Sequence, residues 1–92
     1  MSSSATWRVL VRKDAQKVVA RAPRPDQERL RDAIKKMELD PFAGDVERLK
    51  NERIAFRRRV GNWRLLFDVL RELRIVQIRH IERRTTTTYR KR

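Results

Sequence analysis

Three arginines, Arg57, Arg59 and Arg64, have the residue type and the spacing to hold a phosphate. They lie in a stretch rich in β-branched and aromatic residues that runs from Ile54 to Val69. A guanidinium group binds phosphate oxygens through charge-assisted, often bidentate hydrogen bonds. A phosphate site on these arginines requires the chain to bring all three side chains to one surface.

The pair Gly61-Asn62 predicts a hairpin that would bring the three arginines to one surface, because both residue types tolerate positive φ and suit a two-residue turn. In that register Arg59 faces Arg64, and strand alternation puts Arg57 with them on one face of the sheet. The apolar side chains of the hairpin take the other face: Phe56, Val60, Trp63, Leu65, Phe67 and Val69. Like charges directly opposite each other destabilise a sheet, so folding alone gives no reason to place Arg59 against Arg64.

Two alternatives stay open for the hairpin. The arginines could be an ordinary solvated face, although Asp68 is the one acid that the hairpin places beside them. The register also points Arg58 into the apolar face. Either its stem packs there while its charged head reaches solvent, or the turn is longer than two residues.

The net charge of +13 is unevenly distributed along the 92 residues, a length that suits one small domain, 1–92. Residues 1–52 carry twelve Lys/Arg and nine Asp/Glu, a net charge of +3. Residues 53–92 carry thirteen Lys/Arg and three Asp/Glu, a net charge of +10. Such asymmetry indicates a polyanionic partner, either nucleic acid or an acidic protein segment that masks the basic half.

Several kinds of site are excluded by residue type. The sequence has no cysteine, which rules out disulfides and cysteine-based metal sites, and its acids form no close cluster for a metal. It has one histidine, His80, so a two-histidine ribonuclease mechanism is impossible; we interpret His80 as a strand residue. No apolar run approaches the roughly 20 residues of a membrane span, and no signal peptide is visible, so we expect a soluble, cytoplasmic protein without a cofactor.

Periodicity predicts an α+β fold with a small antiparallel sheet of about four strands and two N-terminal helices packed on one face. Residues 1–5 are expected to be disordered, and 82–92 form a basic tail. Asp14 is predicted to cap the first helix and Pro25 to begin the second. The predicted elements are a strand at 7–11, helices at 14–22 and 25–39, a connector at 41–52, the hairpin, and a last strand at 73–81 with Ile75, Val76 and Ile78 buried.

Arginines without a metal are suited to one reaction, cleavage of RNA by its own 2′-hydroxyl. The substrate supplies the nucleophile, so the protein has to align it and stabilise the charge that develops on phosphorus. Arginine stays protonated and is a poor base. Proton transfer is therefore left to Tyr89 or to groups outside the chain, although Tyr89 could instead stack on a base or pack on the sheet edge.

Residues 7–90 resemble the RelE/ParE superfamily of bacterial toxins. The resemblance is carried by Arg-x-Arg-Val-Gly-x-Trp-Arg at 57–64 together with Tyr89-Arg90. It implies a type II toxin that cuts mRNA in the ribosomal A site without a metal, silenced by a cognate antitoxin with an acidic, partly disordered segment. The implied catalytic residues are Arg57, Arg59, Arg64, Arg83 and Tyr89, with Arg84 an alternative to Arg83. The remaining basic residues near them are expected to contact RNA: Arg58, Arg84, Arg90, Lys91 and Arg92.

Two other functions are compatible with the same residues. The ParE branch of the superfamily poisons DNA gyrase and does not cut RNA; a tyrosine together with the full arginine set argues against it. A non-catalytic nucleic-acid-binding module would bind phosphates with a steep salt dependence and little sequence preference. Such a module should lose affinity gradually as arginines are removed, whereas a nuclease should lose cleavage sharply at Arg64.

Overall fold

A computed structural model describes residues 6–50 and 53–84 of the chain. Within them a short strand is followed by a helical hairpin and then by a run of strands. The elements are β1 Arg8–Val11, α1 Lys13–Arg21, α2 Arg24–Met37, β2 Val46–Arg48, β3 Phe56–Val60, β4 Trp63–Leu70, a 3₁₀ turn Arg71–Leu73, and β5 Ile75–Arg83.

The strands form one sheet in the order β1-β5-β4-β3-β2. β1 runs parallel to β5, and every other pair is antiparallel. The α+β class is confirmed, but the sheet has five strands where we predicted about four. The additional strand is β2, which lies in the segment that we interpreted as a connector and pairs with β3. At three residues, β2 is too short to show an alternating pattern in the sequence.

Both helices cover one face of the sheet with the apolar stripes that the sequence predicts. The helices contribute Ala15, Val19, Leu30 and Met37 to the core. These side chains pack with Leu65, Phe67 and Ile78 of the central strands. α1 begins at Lys13, so Asp14 lies in its first turn and the prediction that Asp14 caps the helix is wrong. No helix in the described ranges is long and apolar enough to cross a membrane.

The hairpin has the predicted register. Gly61 adopts φ of 57° in the turn, and Val60 pairs with Trp63, Arg59 with Arg64, and so on to Phe56 with Phe67. Because facing residues of antiparallel strands share a face, this register decides which side chains meet the helices.

The last strand starts later than we predicted and contains a bulge. Leu73 belongs to the preceding 3₁₀ turn and is exposed. In β5 the bulge falls opposite Leu66 and Phe67, whose partners are His80 and Ile78. The extra residue shifts the alternation, so Ile81 is buried as well as Ile78. Ile75, which we expected to be buried, is only half-buried.

Candidate phosphate-binding surface

The sheet face opposite the helices, here called the open face, carries the three arginines of the predicted site. Arg57 and Arg59 are two residues apart on β3, and Arg64 pairs with Arg59 across the turn. Their neighbours on this face are Leu66 of β4, Glu47 of β2, and His80 and Glu82 of β5. The structure therefore brings Arg57, Arg59 and Arg64 to one surface.

Arg57 is paired with a carboxylate on this surface. Glu47 lies directly opposite it on β2, and Arg57 Nη2 donates a hydrogen bond to Glu47 Oε1. The Arg57 side chain is only 10% exposed, whereas that of Glu47 is 62% exposed. Hydrogen bonding and the charge of Arg57, reinforced by the nearby charge of Arg59, lower the pKa of the Glu47 carboxyl below its usual value.

Arg64 is also paired with a carboxylate. Its Nη2 lies 2.9 Å from Glu82 Oε1, in a pair whose two side chains are both about half exposed. The hairpin by itself offers Asp68 as the only acid near the arginines, but Asp68 is used elsewhere. One of its oxygens accepts from the Ala55 backbone N–H at 2.8 Å and the other from Arg79 at 3.0 Å. The acids that meet Arg57 and Arg64 come from β2 and β5, outside the hairpin, so the hairpin pattern alone does not reveal them.

Arg59 is the arginine of this surface that offers its charge to solvent. It is exposed, and in the part of the chain that the structure describes it forms no ion pair. Its backbone N–H donates to the Asp45 carbonyl at 2.9 Å, which fixes β3 against the segment before β2. Its guanidinium is thus available to an anion on the open face.

Arg58 does not belong to this surface. It faces the helices, as the register predicts, and is only 9% exposed. Its Nη1 donates a hydrogen bond to the Ala43 carbonyl at 2.5 Å. The turn has two residues, and the Arg58 side chain is largely buried. The Ala43 carbonyl accepts the hydrogen bond from the guanidinium, which lies next to Gly44. Arg58 thus lies away from Arg57, Arg59 and Arg64, and its contact with RNA stays a prediction that this position does not favour.

Arg83 and Arg84, which we treated as alternatives, have different surroundings at the end of β5. Arg83 pairs with Trp63 and its guanidinium lies over the Trp63 ring, 5.3 Å from the centroid, on the helix side of the sheet. It does not join Arg57, Arg59 and Arg64, contrary to the predicted cluster. Arg84 is exposed, and its backbone N–H donates to the Asn62 carbonyl at the hairpin turn.

Four predicted residues lie outside the described ranges: Tyr89, Arg90, Lys91 and Arg92. His80, which we interpreted as a strand residue, is exposed and pairs with Leu66 on the open face. The bulge in β5 puts it there, and a bulge has no clear signal in a single sequence.

No protein-family model and no curated protein matches this sequence. Solved structures match it in fold. A chain of the archaeal RelE–RelB complex from Pyrococcus horikoshii OT3 is similar with a TM-score of 0.78 at 22% identity, over 88% of this chain and 98% of that chain. A chain of the RelBE2 toxin–antitoxin complex from Mycobacterium tuberculosis is similar with a TM-score of 0.75 at 21% identity, over 86% and 99% of the two chains.

The isolated RelE toxin of E. coli is also similar, with a TM-score of 0.71 at 14% identity over 86% of this chain and 85% of that chain. Identities this low establish the fold alone. The chain has the RelE fold, and the resemblance seen in its sequence is confirmed at that level.

Proposed function

We propose that this protein is the toxin of a type II toxin–antitoxin pair, an endoribonuclease that cuts mRNA in the ribosomal A site without a metal. The observation that carries the proposal is the position of Arg57, Arg59 and Arg64 on one open face of a RelE fold. A cluster of guanidinium groups on a rigid sheet is suited to hold an RNA backbone and to stabilise charge on phosphorus.

The reaction requires an RNA backbone aligned on this face. The 2′-oxygen attacks the adjacent phosphorus, the bond from phosphorus to the 5′-oxygen breaks, and a 2′,3′-cyclic phosphate and a 5′-hydroxyl form. One proton leaves the 2′-oxygen and one is delivered to the departing 5′-oxygen. Arg57 and Arg59 position the backbone, and Arg64 stabilises the pentavalent phosphorus.

Proton transfer belongs to groups other than these arginines, which stay protonated. An imidazole can accept or donate a proton, and His80 is exposed on the same face, so it joins Tyr89 as a candidate. Arg84, exposed beside the turn, is better placed than Arg83 to add charge on the RNA side.

The partner that silences such a toxin would be an antitoxin with an acidic segment. The net charge of +10 on residues 53–92 favours such a segment, which can fold as it binds. The similar chain from Mycobacterium tuberculosis was solved in a toxin–antitoxin complex, and the one from Pyrococcus horikoshii in a RelE–RelB complex. Activity on translated mRNA places the protein in the cytoplasm.

Induced expression in bacteria tests the proposal, with the wild type beside Arg64→Ala and Tyr89→Phe. We expect growth arrest and new mRNA 5′ ends inside translated codons for the wild type, and loss of both for Arg64→Ala. Growth arrest with intact messages and trapped gyrase–DNA adducts would instead identify a ParE-like gyrase poison. RNA binding without new 5′ ends would identify a non-catalytic binding module.

A further inference from the structure

We infer that Glu47 competes with RNA phosphate for the Arg57 guanidinium and thereby limits the affinity of the open face for RNA. The inference rests on the proposed function, because it takes the phosphate of an RNA backbone as the ligand. It assigns Glu47 to control of substrate affinity.

The Arg57 guanidinium leaves little room for two anions. Its side chain is 10% exposed, and Nη2 is already in contact with Glu47 Oε1. An incoming phosphate oxygen has to occupy the position that this carboxylate holds. Arg57 Nη1 is buried with no hydrogen-bond partner among the described residues, so Nη2 is the end of the guanidinium at which Glu47 and a phosphate compete.

Glu47 is free to give up its position. Its side chain is 62% exposed and stands on β2, a three-residue strand at the edge of the sheet. A carboxylate displaced from Arg57 returns to water with little desolvation cost. The neighbouring arginines lower the pKa of Glu47, so the carboxylate is charged at neutral pH and the competition is present under physiological conditions.

The other carboxylate of the open face does not restrict its arginine in the same way. The Arg64 side chain is 42% exposed, so phosphate can approach its guanidinium while Glu82 remains in contact. Of these two ion pairs, Glu47–Arg57 is therefore the one in which the carboxylate and a phosphate compete for the same position on the guanidinium.

The experiment measures binding of a short single-stranded RNA with 2′-O-methyl groups, which cannot be cleaved, by fluorescence anisotropy at fixed ionic strength. Glu47→Gln is compared with Glu28→Gln, a control on the exposed face of α2 that changes the net charge equally. We expect Glu47→Gln to bind roughly two- to fivefold more tightly than the control, the range for an exposed ion pair. Glu47→Asp keeps the net charge but shortens the reach, and should also bind more tightly than the wild type.

A second arm asks whether the gain depends on Arg57. In an Arg57→Met background, Glu47→Gln should give no more affinity than Glu28→Gln. A gain that persists there, or equal affinities of Glu47→Gln and Glu28→Gln in the wild-type background, would show a general charge effect and overturn the inference. Weaker binding by Glu47→Gln would show that Glu47 positions Arg57 for RNA, and would also overturn the inference. Because the probe is not cleaved, these results do not depend on whether the protein cuts mRNA.

Discussion

Gly44→Ala tests whether Arg58 is a structural residue held by the loop before β2. Gly44 has φ of 87°, and a Cβ there would lie 2.9 Å from Arg58 Nη2. The left-handed conformation costs alanine about 1–2 kcal/mol. The guanidinium end of an arginine is usually flexible, but here it is buried and bonded to the Ala43 carbonyl, so moving it loses about 1 kcal/mol more. A total of about 2–3 kcal/mol corresponds to a fall in Tm of about 10–20 °C for a domain of this size.

Gly61→Ala is the matched control. Gly61 also has positive φ, but the nearest atom to an added Cβ is Arg29 Nη1 at 3.7 Å, an ordinary contact. Its cost is therefore the backbone conformation alone, about 1–2 kcal/mol. Thermal unfolding followed by circular dichroism should show the larger loss for Gly44→Ala. Equal losses would refute the idea that the guanidinium of Arg58 is fixed against Gly44.

Three further changes separate catalysis, packing and electrostatics. Arg64→Ala should slow single-turnover cleavage about 10²–10³-fold while RNA binding falls only severalfold; equal losses in both would indicate a binding role. Asp68→Ala breaks two half-buried hydrogen bonds across the sheet and should lower the free energy of unfolding by about 2 kcal/mol in denaturant titrations; a change near zero would exclude a stabilising network. Arg57 lowers the pKa of Glu47. The stability that this ion pair contributes is therefore complete above the ordinary carboxyl pKa of 4.5 and is lost as the pH falls through the lowered pKa. The Tm gap between wild type and Glu47→Gln should accordingly close below that pH, and a gap independent of pH would contradict the assignment.

Local pattern was sufficient to predict the helices and the hairpin. The apolar spacing of both helices and the Gly61-Asn62 turn depend on neighbours within a few residues, and the register that follows places Arg57, Arg59 and Arg64 on one face. Even the inward direction of Arg58 follows from strand alternation.

The contact partners of the charged side chains could not be predicted from local pattern. Glu47 and Glu82 meet Arg57 and Arg64 because β2 and β5 lie on either side of the hairpin, an order that no local pattern encodes. The position of Arg83 over Trp63 likewise depends on where β5 pairs with β4. Strand order is a property of the whole chain, whereas the spacing of residues is local.

The parallel pairing of β1 with β5 constrains how the chain matures during translation. Among the described residues, Arg8 of β1 pairs with Ile75 of β5, and α1 packs mainly on β5. In a nascent chain, β1 therefore lacks its strand partner and α1 lacks its main packing surface until β5 has been synthesised. Such distant pairing slows folding, so the open face is completed only once synthesis has passed β5.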